Sequence, residues 1–382
     1  MQNFFRYIKT KRLFSAIAFF YALFIFILAK STGIITQNEA EKYISSALAV
    51  YRGDVKSIIN SHLFYTSYIL FVSILFVLKK AFVVVVAQSV LSFTAGICLK
   101  KITDQIIGRS NYSYISMIVF LFAFPIQSWT VTLFSDSFFI SLSTITLFYT
   151  LKEKSNPEII LWLCLNLLLI FARPPGIFLV LPNITYFFIQ SKITKAIPAY
   201  VVYSLIFIAV LVSLFYLPAE TKGYIKPIAA ERIIVDSIDY TVPEFTTAKK
   251  STIAQAYTYI LHKNGPARLV VLYLKKTLSF FTLNRPYYSR AHNSLLLPFY
   301  LLYMLSIIGI YNLWKEDKKN VLFLFSLSIF GIINLVSLTY NEWHYRFTIT
   351  IFPFLIILST ISVFVLFKRN KLNKTHEDEI IL

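Results

Sequence analysis

Three carboxylates stand close together early in the chain, in TQNEAEKYISSALAVYRGD (36–54): Glu39, Glu41 and Asp54. They follow directly on an apolar run, LFSAIAFFYALFIFILA (13–29), which puts them near a membrane surface in a chain otherwise poor in acids. A carboxylate in such a place can act as a general base, tuned by the low dielectric beside it and by cationic partners. Positions two apart on a helix point about 200° away from each other, so Glu39 and Glu41 cannot both face one site. Glu39 and Tyr43 are four apart and share a face, with Ala47 following. The same residues support a structural reading, because Thr36 and Glu39 have the Thr-x-x-Glu spacing of a capping box. Asp54 reads as a second acid or metal ligand, or as a turn residue after Gly53.

Further groups could do chemistry later in the chain. Asp136, in LFSDSFFISL, is an acid at the outer end of a membrane helix, where an ionisable group is costly unless it is paired. It reads as a functional acid or as the N-cap of a helix over 137–151. The segment 218–292 holds eleven Lys and Arg against five Asp and Glu, a cation surplus that suits a phosphate-bearing ligand. Within it GPARLVVLYLKKTLSFF (265–281) is amphipathic, with Lys275 and Lys276 amid apolar residues. Those lysines bind either a ligand phosphate or anionic lipid headgroups. NEWHYRF (341–347) gathers Glu342, His344, Tyr345 and Arg346 at the mouth of the last apolar run. An aromatic belt accounts for Trp343 and Tyr345 but not for the charged residues, and Arg346 with His344 could take a phosphate.

The elements that must position these groups are membrane helices. The chain of 382 residues is 57% hydrophobic and only 14% charged, too little polar surface for a soluble core of that size. Several apolar runs reach the ~20 residues needed to span a bilayer. We therefore expect an all-α polytopic membrane protein with about ten crossings, at 13–34, 81–99, 113–132, 135–151, 158–172, 174–190, 196–217, 294–314, 320–340 and 346–367. With a cytoplasmic N-terminus, five basic clusters (100–109, 152–154, 192–195, 315–319 and 368–374) fall on one side, as the positive-inside rule asks. The run 62–78 then lies in the interface or re-enters. The first apolar run is too long for a signal peptide and reads as a retained anchor. RPPG (173–176) breaks the chain between two apolar helices, because each proline removes a backbone donor, and it places Arg173 near the outer surface. The expected organisation is a membrane module over 1–217 with its first outer loop at 35–61, a long outer loop over 218–292, helices over 293–367 and a cytoplasmic tail over 368–382.

Some functions are excluded. Cys98 and Cys164 lie in apolar runs and offer neither a disulfide framework nor metal-ligand spacing. The net charge of +19 is spread over short loops flanking helices, so no nucleic-acid partner follows from it. No phosphate-binding glycine loop or dinucleotide fingerprint is present, which argues against an ATP-driven pump or an enzyme using a soluble nucleotide sugar.

The arrangement resembles the GT-C integral-membrane glycosyltransferases, the class of protein O-mannosyltransferases and aminoarabinose transferases. NEAEKYISSALAVYRGD resembles their first outer loop, LFSDSFFISLSTITLFYTL a later helix opening on an acid, LLLIFARPPGIFLVLP their Arg-Pro break, and EWHYRFTITIFPFLIIL a late helix opening. The resemblance implies a polyprenyl-phosphate sugar donor and transfer to a glycan, lipid or protein acceptor on the extracytoplasmic face, in a bacterial inner membrane. Glu39 takes the place of the catalytic acid, with a divalent cation (Mg or Mn) as a candidate cofactor there. Tyr43, Arg173, Lys275, Lys276, His344, Tyr345 and Arg346 are then candidates for holding the donor. Where the family often has Asp-Glu this chain has Asn38-Glu39, and His344 stands where arginine is common. Two other readings are an O-antigen polymerase or ligase, which would use the arginines and histidines of 218–292 and not Glu39, and a transporter or flippase. No internal repeat supports the last.

Overall fold

The computed structural model describes residues 2–54, 62–76, 80–108, 110–190, 222–235, 252–342 and 344–380. Its helices run in the order α1 (Gln2–Thr32), α2 (Glu39–Tyr51), α3 (Thr66–Phe76), α4 (Ala81–Ile107), α5 (Ser113–Phe122), α6 (Ser135–Leu151), α7 (Asn156–Ile170) and α8 (Gly176–Gln190). There follow α9 (Lys222–Ala229), α10 (Ile253–Phe281), α11 (Arg290–Leu296), α12 (Tyr300–Lys315), α13 (Lys319–Leu338) and α14 (Phe352–Ile380). Five segments are long and apolar enough to cross a bilayer: Arg12–Thr32, Ala81–Ile107, Arg290–Lys315, Lys319–Leu338 and Thr348–Phe367. Leu63–Ile74, Ser113–Phe122, Asn156–Ile170 and Gly176–Gln190 are shorter apolar helices. Five of the ten expected spans are matched by the long segments, and the expected span 196–217 lies outside the described residues.

Two compact units divide the chain. The first comprises Met1–Gly176, Pro298–Asp317 and Pro353–Leu382. Its α6 is buried on nearly every side although it is rich in hydroxyls. Ser143, Thr144, Thr146 and Thr150 each donate to a carbonyl one turn back, so these polar groups are satisfied inside their own helix. Gln127 gathers α1 and α4: Tyr21 donates to its Oε1 at 3.0 Å, Ser92 at 3.2 Å, and its Nε2 reaches Phe120 O at 3.0 Å. The single helix expected over 113–132 stops at Phe122: Ala123 is extended, with ψ 102°, and Pro125, which lacks a donor, sits in the first turn of a new helix. After one further turn (Phe124–Gln127) the chain runs irregularly and forms a parallel bridge from Thr132 to Ile35. The RPPG break falls where it is expected, between Ile170 and Gly176. A Cβ on Gly176 would lie 2.0 Å from Leu169 O, so the turn admits no side chain there.

The second unit comprises Ile177–Leu297 and Lys318–Phe352. Its long helix α10 bends at Gly265, whose φ of 77° is open to glycine. The half before the bend buries Ile253, Ala256 and Ile260 against Ile225, Ile228 and Ala229 of α9. The half after it lies along α13: Tyr273 Oη donates to Asn334 Oδ1 at 2.9 Å, and the Thr277 and Ser337 hydroxyls meet at 2.7 Å. The sheet of this unit is a two-residue parallel pairing of β1 (Ile234–Val235) with β2 (Asn341–Glu342).

Candidate functional site

Glu39 opens α2. The chain enters that helix through Asn38 at φ 60°, so Glu39 is the first helical residue and not the third. The capping box expected for Thr36 and Glu39 therefore does not form, and no side chain caps the helix. Instead the Glu39 carboxylate is turned along the helix. Tyr43 Oη donates to its Oε1 at 2.7 Å, and Lys42 Nζ lies 3.0 Å from the same oxygen. The side chain remains 22% exposed, which leaves the carboxylate reachable. Glu41 is exposed on the other side of the helix, as the periodicity requires.

The partners of Glu39 are themselves fixed. Tyr43 is fully buried, edge-on to Tyr68 with ring centres 5.1 Å apart and tilted against Tyr65 at 5.4 Å. Its hydroxyl also meets Ser135 Oγ at 3.3 Å. Tyr68 donates to Gln88 of α4 at 3.2 Å, and Gln88 donates in turn to the carbonyls of Thr130 and Thr132. Lys42 lies 4.7 Å above the Tyr65 ring. The Glu39 carboxylate is thus held by side chains whose positions trace back to a buried glutamine.

Asp136 follows Ser135 at the start of α6, where Phe134 and not Asp136 is the N-cap. Its carboxylate is fully buried and paired with the Arg173 guanidinium, itself 2% exposed and 5.8 Å from the Phe139 ring. One interaction joins two features singled out separately, the acid of α6 and the arginine of the RPPG break. Asp54 is exposed beyond the far end of α2, where its amide donates to Ala49 O. At 1.5 Å per residue that is about 20 Å from Glu39, so the two acids do not share a centre.

A second group of polar residues lies in the other unit. Lys275 is exposed, whereas Lys276 is fully buried and donates to Thr339 O. Burial pushes the Lys276 ammonium down to about 7, the Glu231 carboxylate opposing the shift. Glu231 is already engaged by Arg268 at 2.5 Å and by Asn264. These residues, with Arg232, Tyr259 and Lys263, line a cavity of about 540 Å³. Beyond α13, Tyr345 is buried with φ 49°, a left-handed conformation rare for an aromatic residue, and Arg346 beside it is buried too. Tyr345 Oη lies 3.2 Å from His292 Nε2, and His344 Nδ1 lies 3.3 Å from Tyr288 Oη. The Tyr288 ring stacks on His292 at 4.2 Å.

Sequence reasoning passed over Tyr288, and took Arg285 and His292 only collectively, among the arginines and histidines of 218–292. They belong to RPYYSRAHN (285–293), which carries the mix of cations, imidazole and tyrosines that marked 341–347, again directly before an apolar span. That compositional match was the available signal. As for a metal, Glu39 is one carboxylate already held by a lysine and a tyrosine. No group of three His, Cys, Asp or Glu side chains that could hold an ion occurs among the described residues. The described residues do not assemble a metal site around Glu39. No family model, curated protein or solved structure matches the chain.

Proposed function

We propose that the protein is a membrane glycosyltransferase that moves a sugar from a polyprenyl-phosphate donor to an acceptor hydroxyl, with Glu39 as the general base. The observation that carries this reading is the held but reachable carboxylate of Glu39 beside an apolar span. In the reaction Glu39 takes the acceptor hydroxyl proton while the acceptor oxygen bonds to the anomeric carbon. The bond from that carbon to the phosphate oxygen breaks, and the lipid phosphate leaves with the electron pair. Tyr43 and Lys42 position the carboxylate, and no step is routed through a metal. Asp136 and Arg173 neutralise each other's charge, which suits them to holding α6 against the RPPG break and not to proton transfer.

The test is transfer from a polyprenyl-phosphate sugar by the purified chain and by E39Q. Loss of a general base lowers turnover by about 10²–10⁴-fold. E39Q turning over near the native rate removes Glu39 from the role. A chain that instead joins diphosphate-linked oligosaccharides, with Glu39 dispensable, is a polymerase. The cations around the 540 Å³ cavity favour that second reading.

A further inference from the structure

The enclosed Arg173 has Asp136 as its counter-charge. Arg285 differs. It is 3% exposed, and no carboxylate pairs with it among the described residues. One terminal nitrogen reaches Ser279 O at 3.5 Å, a marginal contact, and its Nε is buried without a hydrogen-bond partner among the described residues. A guanidinium stays protonated in any protein environment, so burial cannot relieve it by titration. An enclosed charge without a counter-charge costs several kcal/mol.

A second unmet group stands beside it. Asn341 Nδ2 donates to the same Ser279 carbonyl at 2.9 Å, while Asn341 Oδ1 is buried without a partner among the described residues. The Ser279 carbonyl therefore brings together a cationic donor and a neutral acceptor, both lacking complements. Lys276, one turn earlier on α10, accepts from Ser279 Oγ at 2.8 Å through its own carbonyl. Arg285 also acts electrostatically on the Tyr288 and Tyr345 phenols, which burial raises well above the ordinary tyrosine value and the guanidinium pulls back. Tyr288 is half-buried, and its ring leads from the arginine toward the exposed His344.

We propose that Arg285 and Asn341 form an oxyanion-binding site whose ligand is a phosphate group that carries or adjoins a hydroxyl. The charged oxygens answer the guanidinium in the forked geometry that arginine offers phosphate. The hydroxyl, on phosphorus or on a neighbouring sugar carbon, donates to Asn341 Oδ1. A carboxylate answers only the first demand, and a water molecule answers the hydrogen bonds but not the charge. Two sources share this chemistry, a lipid phosphate and a soluble sugar phosphate. Only the lipid source rests on the transferase reading.

The experiment measures binding to the purified full chain in detergent, by phosphorus NMR line broadening for the phosphates and by thermal shift for all probes. The probes are farnesyl phosphate, glucose 1-phosphate and farnesol. At least one phosphate is expected to bind the native chain, and farnesol is expected not to. R285Q should weaken that phosphate by about 10–100-fold, the range for losing a hydrogen bond to a charged group. R285K keeps the charge but loses the fork and Nε; it should weaken binding about 10-fold, and it replaces R285Q if that variant fails to fold. Binding of farnesyl phosphate alone assigns a lipid source, and binding of glucose 1-phosphate assigns a soluble one. The proposal is overturned if neither phosphate binds the native chain better than farnesol does, or if both variants bind phosphate as tightly as the native chain. A chain that binds phosphate through Arg285 yet transfers no sugar would sink the transferase reading and leave this site standing.

Discussion

Replacing Asp136 by asparagine is the sharpest test of how the first unit holds together. The substitution keeps the size of the side chain and removes its charge, leaving Arg173 enclosed at 2% exposure. Breaking one partner of a buried ion pair costs about 3–5 kcal/mol, because the remaining charge is left in low dielectric. The Phe139 ring, 5.8 Å from the guanidinium carbon, attracts the cation in the native chain as well as in D136N, so it does not offset that cost. A loss of about 3–5 kcal/mol is therefore expected for D136N. Removing both charges with apolar side chains, as in D136L/R173M, abolishes the penalty along with the pair, and such replacements are often neutral. Thermal unfolding of detergent-solubilised protein should rank the double variant above D136N. R173M, which strands the carboxylate, should fall with D136N. If D136N unfolds within about 0.5 kcal/mol of the native chain, the spread of an ordinary surface change, the pair is not structural and the reasoning fails.

Two further outcomes follow from the described contacts. Y43F removes the hydroxyl that reaches Glu39 and Ser135, so it should cost about 0.5–1.5 kcal/mol of stability and lower turnover less than E39Q does; turnover as low as that of E39Q would make Tyr43 a reacting group. Lys276 binds its proton less tightly in the folded chain, near pH 7, than in the unfolded chain, so between about pH 7 and 10 unfolding takes up a proton. Native stability relative to K276M should therefore rise with pH across that window, by at most about 1.4 kcal/mol per unit, and a flat difference in unfolding midpoints would contradict the burial of the amine.

Local rules made much of the helix pattern legible. The helix expected over 135–151 is observed at Ser135–Leu151, and 174–190 at Gly176–Gln190, because a serine–aspartate start and a double proline are strong local punctuation. The helix expected to end at 99 continues to Ile107, since Lys100 and Asp104 form a pair four residues apart that sustains it past the apolar run. Contacts distant in sequence were not legible. Asp136 and Arg173 were each singled out, but 37 residues separate them and no periodicity couples them. Glu39 was picked from its spacing to Tyr43, and that hydrogen bond is present; its start-of-helix position turned on the backbone at Asn38, which residue type does not reveal. Which of two adjacent lysines is enclosed depends on the phase of α10 against α13. Tyr273 and Thr277 set that phase, and it becomes visible only once their partners are known.

The seam between α12 and α14 bears on how the chain is made. A Cβ on Gly309 would lie 2.2 Å from Leu358 O, and Ser359 and Ser362 donate to the carbonyls of Leu302 and Leu305 at 3.0 and 2.6 Å. Small residues and hydroxyl-to-backbone bonds of this kind hold helices together where lipid gives no hydrophobic drive. Both helices belong to the first unit, which also holds Met1–Gly176, so that unit is incomplete until α14 is made. Until α14 is made, the glycine notch and the rest of the α12 share of the seam have no partner helix. A ribosome that stalls before residue 353 leaves behind an incomplete unit, with the α12 side of the seam uncovered.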